Sequence, residues 1–307
     1  MRNNTLGGLY GSLVGDALGV PVEFTTRAAR VLDPVVDMRG FGTHNQPAGA
    51  WSDDGALLLC SVESLNEKGF DTQDMSERFL DWYRKAHWTS HGVVFDIGNA
   101  TKAALRRREL GMSAERAGGA DPTDNGNGSL MRILPVVLAS LFEDDATFID
   151  RISRASSITH RHYRSQMACV FYGMMVRELM RGFPKLIAYE RTCRSFQATY
   201  GAHVETEDFQ ELLAGDLPQW PISKIKSGGY VIDTLTASLW CLLTTDTFAD
   251  CVLKAVNLGE DTDTTGCVAG GVAGVCYGLK SIPQDWIATL PKPEELTALF
   301  STFLEKQ

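Results

Sequence analysis

Two series of glycines constrain the fold of this chain more than any other feature. Residues four apart share one face of a helix, so a glycine at every fourth position leaves a helix face without side chains. Glycine inside a helix costs roughly 0.5–1 kcal/mol relative to alanine. We therefore predict that two central helices are each crossed closely by a neighbouring helix. The two could cross each other. Alternatively, some of these glycines lie in loops. The series are Gly7, Gly11, Gly15 and Gly19, and Gly266, Gly270, Gly274 and Gly278.

Apolar residues recur with helical spacing along nearly the whole chain. Residues 162–181 form such a pattern, and Gly182 and Pro184 then provide a stop. Strand-like alternation is scarce, and no long linker or change in composition divides the sequence. We predict an all-α fold, with residues 1–307 as a single compact domain of many helices. The other predicted helices cover about 3–18, 52–67, 72–87, 97–110, 127–141, 145–157, 186–200, 232–244, 246–257, 263–279 and 293–304.

The composition argues against several classes of protein. The chain has 38 acidic and 29 basic residues and a formal net charge of -9, which disfavours a nucleic-acid-binding surface. No apolar stretch reaches the roughly 18 residues of a membrane span, and no signal-peptide core is found at the start. The seven cysteines form no CxxC pair, as expected of reduced thiols. We expect a cytoplasmic monomer without nucleic-acid or membrane partners.

Carboxylates are doubled at the start of two predicted helices. A capping acid is stabilised by the helix dipole by about 0.3–1 kcal/mol, but capping does not require neighbouring acids that repel each other. Carboxylate and hydroxyl oxygens suit hard cations such as Mg²⁺ or Mn²⁺. Together the two segments could supply ligands for two ions, and paired ions can orient a substrate and a nucleophilic water. The two sets are Ser52, Asp53 and Asp54, and Asp261, Asp263 and Thr264.

Two further acids lie at predicted helix boundaries. Glu23 follows the end of the first glycine-rich helix, and Asp96 precedes a predicted helix whose first turn contains Gly98 and Asn99. Each has an ordinary explanation: Asp96 could be a helix N-cap, and Glu23 could be a solvated loop residue. Both acids are also candidates for chemistry.

Residues 123–136 begin with a turn rich in glycine and asparagine and continue into a predicted helix. Backbone N–H groups at such a position can bind an anion, although a plain turn with a helix cap would have the same sequence. His160 lies further along the chain and would, taken alone, be a structural histidine. Tyr230 follows two glycines, where its ring could be open for stacking.

In combination, these segments resemble the ADP-ribosylglycohydrolase family. Four of them occur in the family's order between about residues 5 and 280, and the family implies an all-α orthogonal bundle with two Mg²⁺ or Mn²⁺ ions. It also implies hydrolysis of the glycosidic bond at C1″ of ADP-ribose. The four segments are Gly15–Gly19 with Glu23, Ser52-Asp53-Asp54, Gly126-Asn127-Gly128 with Met131 and Arg132, and Asp261-Thr262-Asp263-Thr264.

The resemblance implies a role for each candidate residue. Asp96 would be the general base or proton shuttle, and Glu23 a second acid or base beside the metals. Tyr230 would stack on adenine. The expected metal ligands are Ser52, Asp53, Asp54, Asp261, Asp263 and Thr264, with Ser52 and Gly55 standing where the family usually has threonine. The expected substrate-binding residues besides Tyr230 are Gly98, Asn99, Asn125, Gly126, Asn127, Gly128, Met131 and His160.

The linkage that is cleaved is less well defined by the resemblance. Asp96-Ile97-Gly98-Asn99 is most similar to the bacterial branch related to dinitrogenase reductase-activating glycohydrolase, which releases ADP-ribose from arginine. We therefore expect an ADP-ribosylated protein or another ADP-ribose conjugate as the partner. The alternatives are serine-linked ADP-ribose, O-acetyl-ADP-ribose, a modified nucleobase, or a crystallin-like member without catalysis. A helical phosphohydrolase with His-Asp pairs is disfavoured, because none of the six histidines precedes an aspartate.

Overall fold

A computed structural model describes residues 1–306 of the chain. Within these residues the regular structure consists of α-helices, short 3-10 segments and isolated β-bridges, which confirms the predicted all-α class. The helices are α1 Arg2–Gly19, α2 Arg27–Leu32, α3 Asp53–Lys68, α4 Thr72–Lys85, α5 Asn99–Glu109, α6 Ala114–Ala117, α7 Leu134–Ala139, α8 Asp145–Ser157, α9 Tyr163–Met180, α10 Lys185–Tyr200, α11 Gln210–Leu213, α12 Val231–Leu243, α13 Phe248–Val256, α14 Thr262–Tyr277, α15 Gln284–Thr289 and α16 Pro293–Glu305.

Helices α1 and α14, which carry the two glycine series, pack directly against each other. A Cβ atom added to Gly15 would lie 2.0 Å from the carbonyl oxygen of Gly266, and one added to Gly270 would lie 2.1 Å from that of Gly11. These distances leave no room for any side chain, so the two backbones are in contact along the crossing. The predicted close approach is confirmed, except that Gly278 follows the end of α14 with a φ of 82°.

The crossing of α1 and α14 is surrounded by other helices. Helix α14 also packs against α9, α12 and α13, while α3 and α16 lie on the side of α1. Buried apolar side chains from Leu9 in α1 to Phe303 in α16 form one contiguous core. On that basis we propose that the chain folds as one domain. No described helix is both long and apolar enough to span a membrane.

The prediction of a helix over 127–141 is wrong for its first half. Only Leu134–Ala139 is helical, and Pro135 lies in its first turn. The residues before it form turns in which the N–H groups of Leu130 and Met131 both donate to the carbonyl of Asn127. Four helices were not predicted because each has only four to six residues, too few to show a helical repeat. They are α2, α6, α11 and α15.

Candidate metal centre and substrate cleft

The first turns of α3 and α14 lie side by side, which brings the two predicted sets of metal ligands together. The Thr264 hydroxyl lies 3.3 Å from Asp54 Oδ2, and the Ser52 hydroxyl donates to the same oxygen at 3.1 Å. Residues more than two hundred positions apart are therefore in direct contact. Four acids are here called the carboxylate cluster: Asp53, Asp54, Asp261 and Asp263. Asp261 is half-buried, and the other three are buried.

Asp16 in α1 fixes the start of α3. Its two carboxylate oxygens accept the backbone N–H of Ser52, each at 3.0 Å, and Oδ2 also accepts that of Gly55 at 2.8 Å. Burial raises the pKa of Asp16 to about 7 even though these hydrogen bonds favour the ionised form. Asp16 was not predicted as a site residue, because an acid inside a predicted helix gives no sign of a contact 36 residues away.

The carboxylate cluster lacks compensating positive charge. Asp54 Oδ1, Asp261 Oδ1 and Asp263 Oδ2 are buried and without hydrogen-bond partners, and no arginine or lysine pairs with the cluster within residues 1–306. Burial raises the pKa values of Asp53, Asp54 and Asp263 well above their usual range, and the neighbouring carboxylates raise them further. Buried anions require a cation or a proton. The oxygen-only set of carboxylates and hydroxyls fits a hard divalent cation.

A second group of acids adjoins the cluster and includes a histidine. Glu23, His44, Asp96 and Asp263 each offer one potential ligand atom, and these atoms lie within 4.8 Å of one another. His44 Nε2 is hydrogen-bonded to Glu23 Oε2 and lies 3.9 Å from Asp96 Oδ1. Burial and the charge of Asp96 raise the pKa of Glu23 to about 10. The group could hold a metal ion, and it also provides proton donors and acceptors in contact.

His44 was not predicted as a site residue. It lies in the loop between α2 and α3, where no periodic pattern marks its position. The Thr43 hydroxyl donates to the carbonyl of Glu23 at 2.8 Å, and a Cβ on Gly42 would lie 1.9 Å from the carbonyl oxygen of Pro21. Glycine at 42, with a φ of 61°, therefore permits the loop to lie against the segment that carries Glu23.

A cleft of about 590 Å³ opens beside these acids. The cleft is lined by the two predicted catalytic acids, Glu23 and Asp96, and by three of the predicted metal ligands: Asp53, Asp261 and Thr264. Ser52, Asp54 and Asp263 do not line the cleft but lie among the buried residues of the site. Seven of the predicted substrate-binding residues also line it: Gly98, Asn99, Gly126, Asn127, Gly128, Met131 and His160.

The loop 125–128 is held against residues 229–231 and against the carboxylate cluster. The N–H of Asn127 donates to the carbonyl of Gly229 at 3.1 Å, and its side-chain amide donates to Asp261 Oδ2 at 2.8 Å. Among the described residues, the backbone N–H groups of Gly126 and Gly128 have no acceptor. Two free N–H groups beside a cleft are suited to binding an anion.

His160 lies under this loop. A Cβ on Gly128 would be 2.8 Å from His160 Cε1, so glycine allows the loop to contact the imidazole ring. Burial, together with the positive charge of Arg132, lowers the pKa of His160 to about 3, and the side chain is neutral near pH 7. Its Nδ1 atom is 2.9 Å from the Thr159 hydroxyl, which leaves Nε2 free to face the cleft that His160 lines.

Two predicted substrate-binding residues do not line the cleft. Asn125 is buried, donates to the carbonyl of Pro122 at 2.9 Å and accepts the Ser165 hydroxyl at 3.1 Å, so it stabilises the turn. Tyr230 pairs through its backbone with Gly126, but its side chain lines a separate cavity of about 220 Å³. Its hydroxyl lies 3.4 Å from Asp208. Stacking of Tyr230 on adenine stays a prediction.

The structure is that of a helical protein whose cleft adjoins buried carboxylates that could hold a cation, and comparisons place the chain in a family. The profile of the ADP-ribosylglycohydrolase family matches residues 1–307. A solved structure described as an ADP-ribosylglycohydrolase-related protein complex superposes with a TM-score of 0.83 at 33% identity, covering 99% of this chain and 98% of that one. The chain belongs to the ADP-ribosylglycohydrolase family, as the sequence motifs indicated.

Two relatives of named activity align over most of their length. ADP-ribosylarginine hydrolase Tri1 of Serratia proteamaculans is 33% identical over 296 residues, which are 95% of this chain and 76% of that protein. The ADP-ribosyl-dinitrogen reductase glycohydrolase of Rhodospirillum rubrum is 32% identical over 295 residues, which are 94% of this chain and 91% of that protein. The family and these relatives indicate an ADP-ribosylglycohydrolase.

Proposed function

We propose that this protein hydrolyses the glycosidic bond between ADP-ribose and an arginine side chain of a modified protein. The observation that carries the proposal is the position of Asp96 and Glu23, two acids in one cleft beside a buried carboxylate cluster. The choice of arginine is supported by the names of relatives that share 33% and 30% of their aligned residues with this chain, both called ADP-ribosylarginine hydrolase.

The buried oxygens without partners support a metal centre in this cleft. We propose that two Mg²⁺ or Mn²⁺ ions are held by Asp53, Asp54, Asp261 and Asp263 with the hydroxyls of Ser52 and Thr264. Bound ions of this type would act as Lewis acids towards ribose hydroxyls and water. Neutralising the cluster would also favour the ionised form of carboxylates whose pKa values are raised by burial.

The groups around the loop 125–128 would bind the rest of ADP-ribose. The free N–H groups of Gly126 and Gly128 would donate to the diphosphate, and neutral His160 would contact it without adding charge. These contacts, made far from the bond that is broken, would hold the sugar in one orientation. Orientation of this kind lowers the barrier by reducing the entropy lost on reaching the transition state.

The two cleft acids would divide the proton transfers. Asp96 would accept the proton of the attacking water as its oxygen forms a bond to C1″. The bond from C1″ to the guanidine nitrogen would break, and that nitrogen would receive a proton from Glu23. Asp96 would then release its proton to solvent, and His44, hydrogen-bonded to Glu23, would return a proton from solvent to Glu23. Acid assistance matters because a guanidine is a poor leaving group unless it is protonated.

The test is conversion of an ADP-ribosylarginine peptide into ADP-ribose and the peptide with an unmodified arginine, measured by mass spectrometry. Protein treated with a chelator and verified as metal-free should be inactive, and Mg²⁺ or Mn²⁺ should restore turnover. Serine-linked ADP-ribose and O-acetyl-ADP-ribose serve as comparison substrates. Full activity without metal would contradict the metal-dependent mechanism. Turnover of a comparison substrate with none on arginine would contradict the proposed linkage, and binding of ADP-ribose without any turnover would indicate a non-catalytic member.

A further inference from the structure

An exposed phenylalanine lies at the mouth of the cleft. Phe24 is 68% exposed, follows the predicted catalytic acid Glu23 directly, and lines the cleft. An apolar ring in solvent contributes nothing to the core. Its backbone φ of 60° is in the left-handed region, which a bulky residue adopts only under constraint.

The constraint is a pair of backbone hydrogen bonds to the loop before α14. The N–H of Phe24 donates to the carbonyl of Glu260 at 2.6 Å, and the N–H of Glu260 donates to the carbonyl of Thr25 at 2.7 Å. Glu260 also has a left-handed backbone, with a φ of 64°. Strained backbone positions cluster at functional sites, where the surrounding structure holds them in place. Here the strained residue is one that lines the cleft.

Aromatic faces and carboxylates occur together at this position. The ring centroid of His44 is 5.9 Å from that of Phe24 and 5.1 Å from that of Phe95. His44 in turn contacts Glu23 and approaches Asp96, whose side chain is 20% exposed. An aromatic face beside a carboxylate is the environment that a guanidinium group prefers, because the ring attracts its positive charge and the flat group stacks on the ring.

We propose that the ring of Phe24, in this acidic cleft, forms the binding site for the guanidinium group of the ADP-ribosylated arginine. Phe24 is then the residue that determines the preference for arginine over neutral acceptors. This inference rests on the proposed function, because it places the leaving group beside the acids that act on the bond. The competing interpretation is that Phe24 contacts the surface of the modified protein and not its arginine.

The experiment compares Phe24→Leu, which keeps an apolar side chain, with Phe24→Tyr, which keeps the aromatic face. Phe41→Leu is the matched control, since Phe41 is also 64% exposed with a φ of 66° and does not line the cleft. Binding of N-acetyl-arginine amide and of the neutral N-acetyl-citrulline amide is measured by NMR titration with protein loaded with ADP-ribose. The kcat/KM is measured with a small ADP-ribosylarginine and with an ADP-ribosylated protein.

The wild type should bind the arginine amide more tightly than the citrulline amide. Phe24→Leu should reduce the ratio of the two affinities, arginine amide over citrulline amide, about tenfold. Phe24→Tyr and Phe41→Leu should have ratios close to that of the wild type. The kcat/KM on small ADP-ribosylarginine should fall by a similar factor. Equal binding of the two amides by the wild type, or a loss confined to the protein substrate, would overturn the inference. Selective binding of arginine amide without hydrolysis would support the site and contradict the proposed function alone.

Discussion

Both carboxylate oxygens of Asp16 accept the backbone N–H of Ser52 at 3.0 Å, although the two residues lie 36 positions apart. Oδ2 also binds the N–H of Gly55. One buried acid in α1 therefore aligns the first turn of α3, which carries Asp53 and Asp54. Asp16 positions half of the carboxylate cluster without lining the cleft.

Replacing Asp16 with asparagine should weaken metal binding by tenfold or more. The amide keeps one acceptor oxygen but turns an NH₂ group towards backbone donors, and an unpaired buried donor costs about 1–3 kcal/mol. Calorimetric titration with Mn²⁺ measures the affinity, and urea unfolding of the metal-free protein measures the stability. An unchanged affinity would mean that the first turn of α3 does not depend on Asp16.

Gly270→Ala should destabilise the protein by more than about 3 kcal/mol. The added Cβ would lie 2.1 Å from the carbonyl oxygen of Gly11, which is an overlap. Gly111→Ala is the control: its φ is 90° and no atom lies within 4 Å of the added Cβ, so only backbone strain of about 1–2 kcal/mol applies. Urea unfolding compares the two variants. Equal losses would show that α1 and α14 can separate at little cost.

Asp96→Asn should lower kcat by roughly 10²–10⁴-fold, the range typical for the loss of a general base. Binding of Mn²⁺ should persist, since Asp96 is outside the proposed set of ligands. Asp285→Asn, a change at an exposed acid on α15, is the control for charge. Single-turnover kinetics and calorimetry provide the two measurements. A variant with near-native turnover would move the base role to Glu23 or to water, and a variant that loses Mn²⁺ would make Asp96 a ligand.

Stability of the metal-free protein should fall as pH rises from about 5 to about 8. The pKa values of Asp16 and Glu23 are raised to about 7 and about 10, so the folded state holds protons that the unfolded chain releases at lower pH. The stability that these groups contribute is fully present below their pKa values in the unfolded state. It is lost as pH rises through their pKa values in the folded state. The pKa values of the proposed ligands Asp53, Asp54 and Asp263 are raised as well, and divalent cations would compete with protons there, so the increase in Tm on adding Mn²⁺ should grow over the same interval. An increase that is independent of pH would contradict this account.

The crossing of α1 and α14 could be predicted because glycine spacing is a local property with one structural explanation. The turn at 127–133 could not, because its apolar residues Leu130, Met131 and Ile133 have helical spacing while their backbone makes turns that bring Asn127 to Asp261. Tertiary contacts with a distant carboxylate decide the conformation there, and no local pattern records them.

In the candidate site, too, some residues could be predicted from local sequence and others could not. Paired acids with a hydroxyl neighbour marked both halves of the carboxylate cluster, since their mutual repulsion needs an explanation in any fold. His44 and Phe24 gave no such signal, because a loop histidine and a loop phenylalanine are ordinary residues. Their importance comes from contacts with Glu23 and with each other, which only the folded chain defines.

The crossing of α1 and α14 has a further consequence for the substitutions that this protein can accept. A Cβ on Gly19 would lie 2.3 Å from the Cα of Asp263, so the end of α1 contacts the backbone of the carboxylate cluster itself. At Gly19 the three nearest atoms are backbone atoms of Thr262 and Asp263, so no side chain separates the end of α1 from this half of the cluster. Bond lengths and atomic radii, which are the same in every sequence, set that separation. Substitutions can therefore accumulate through the rest of the core and alter stability while the position of Asp263 against the end of α1 stays constant.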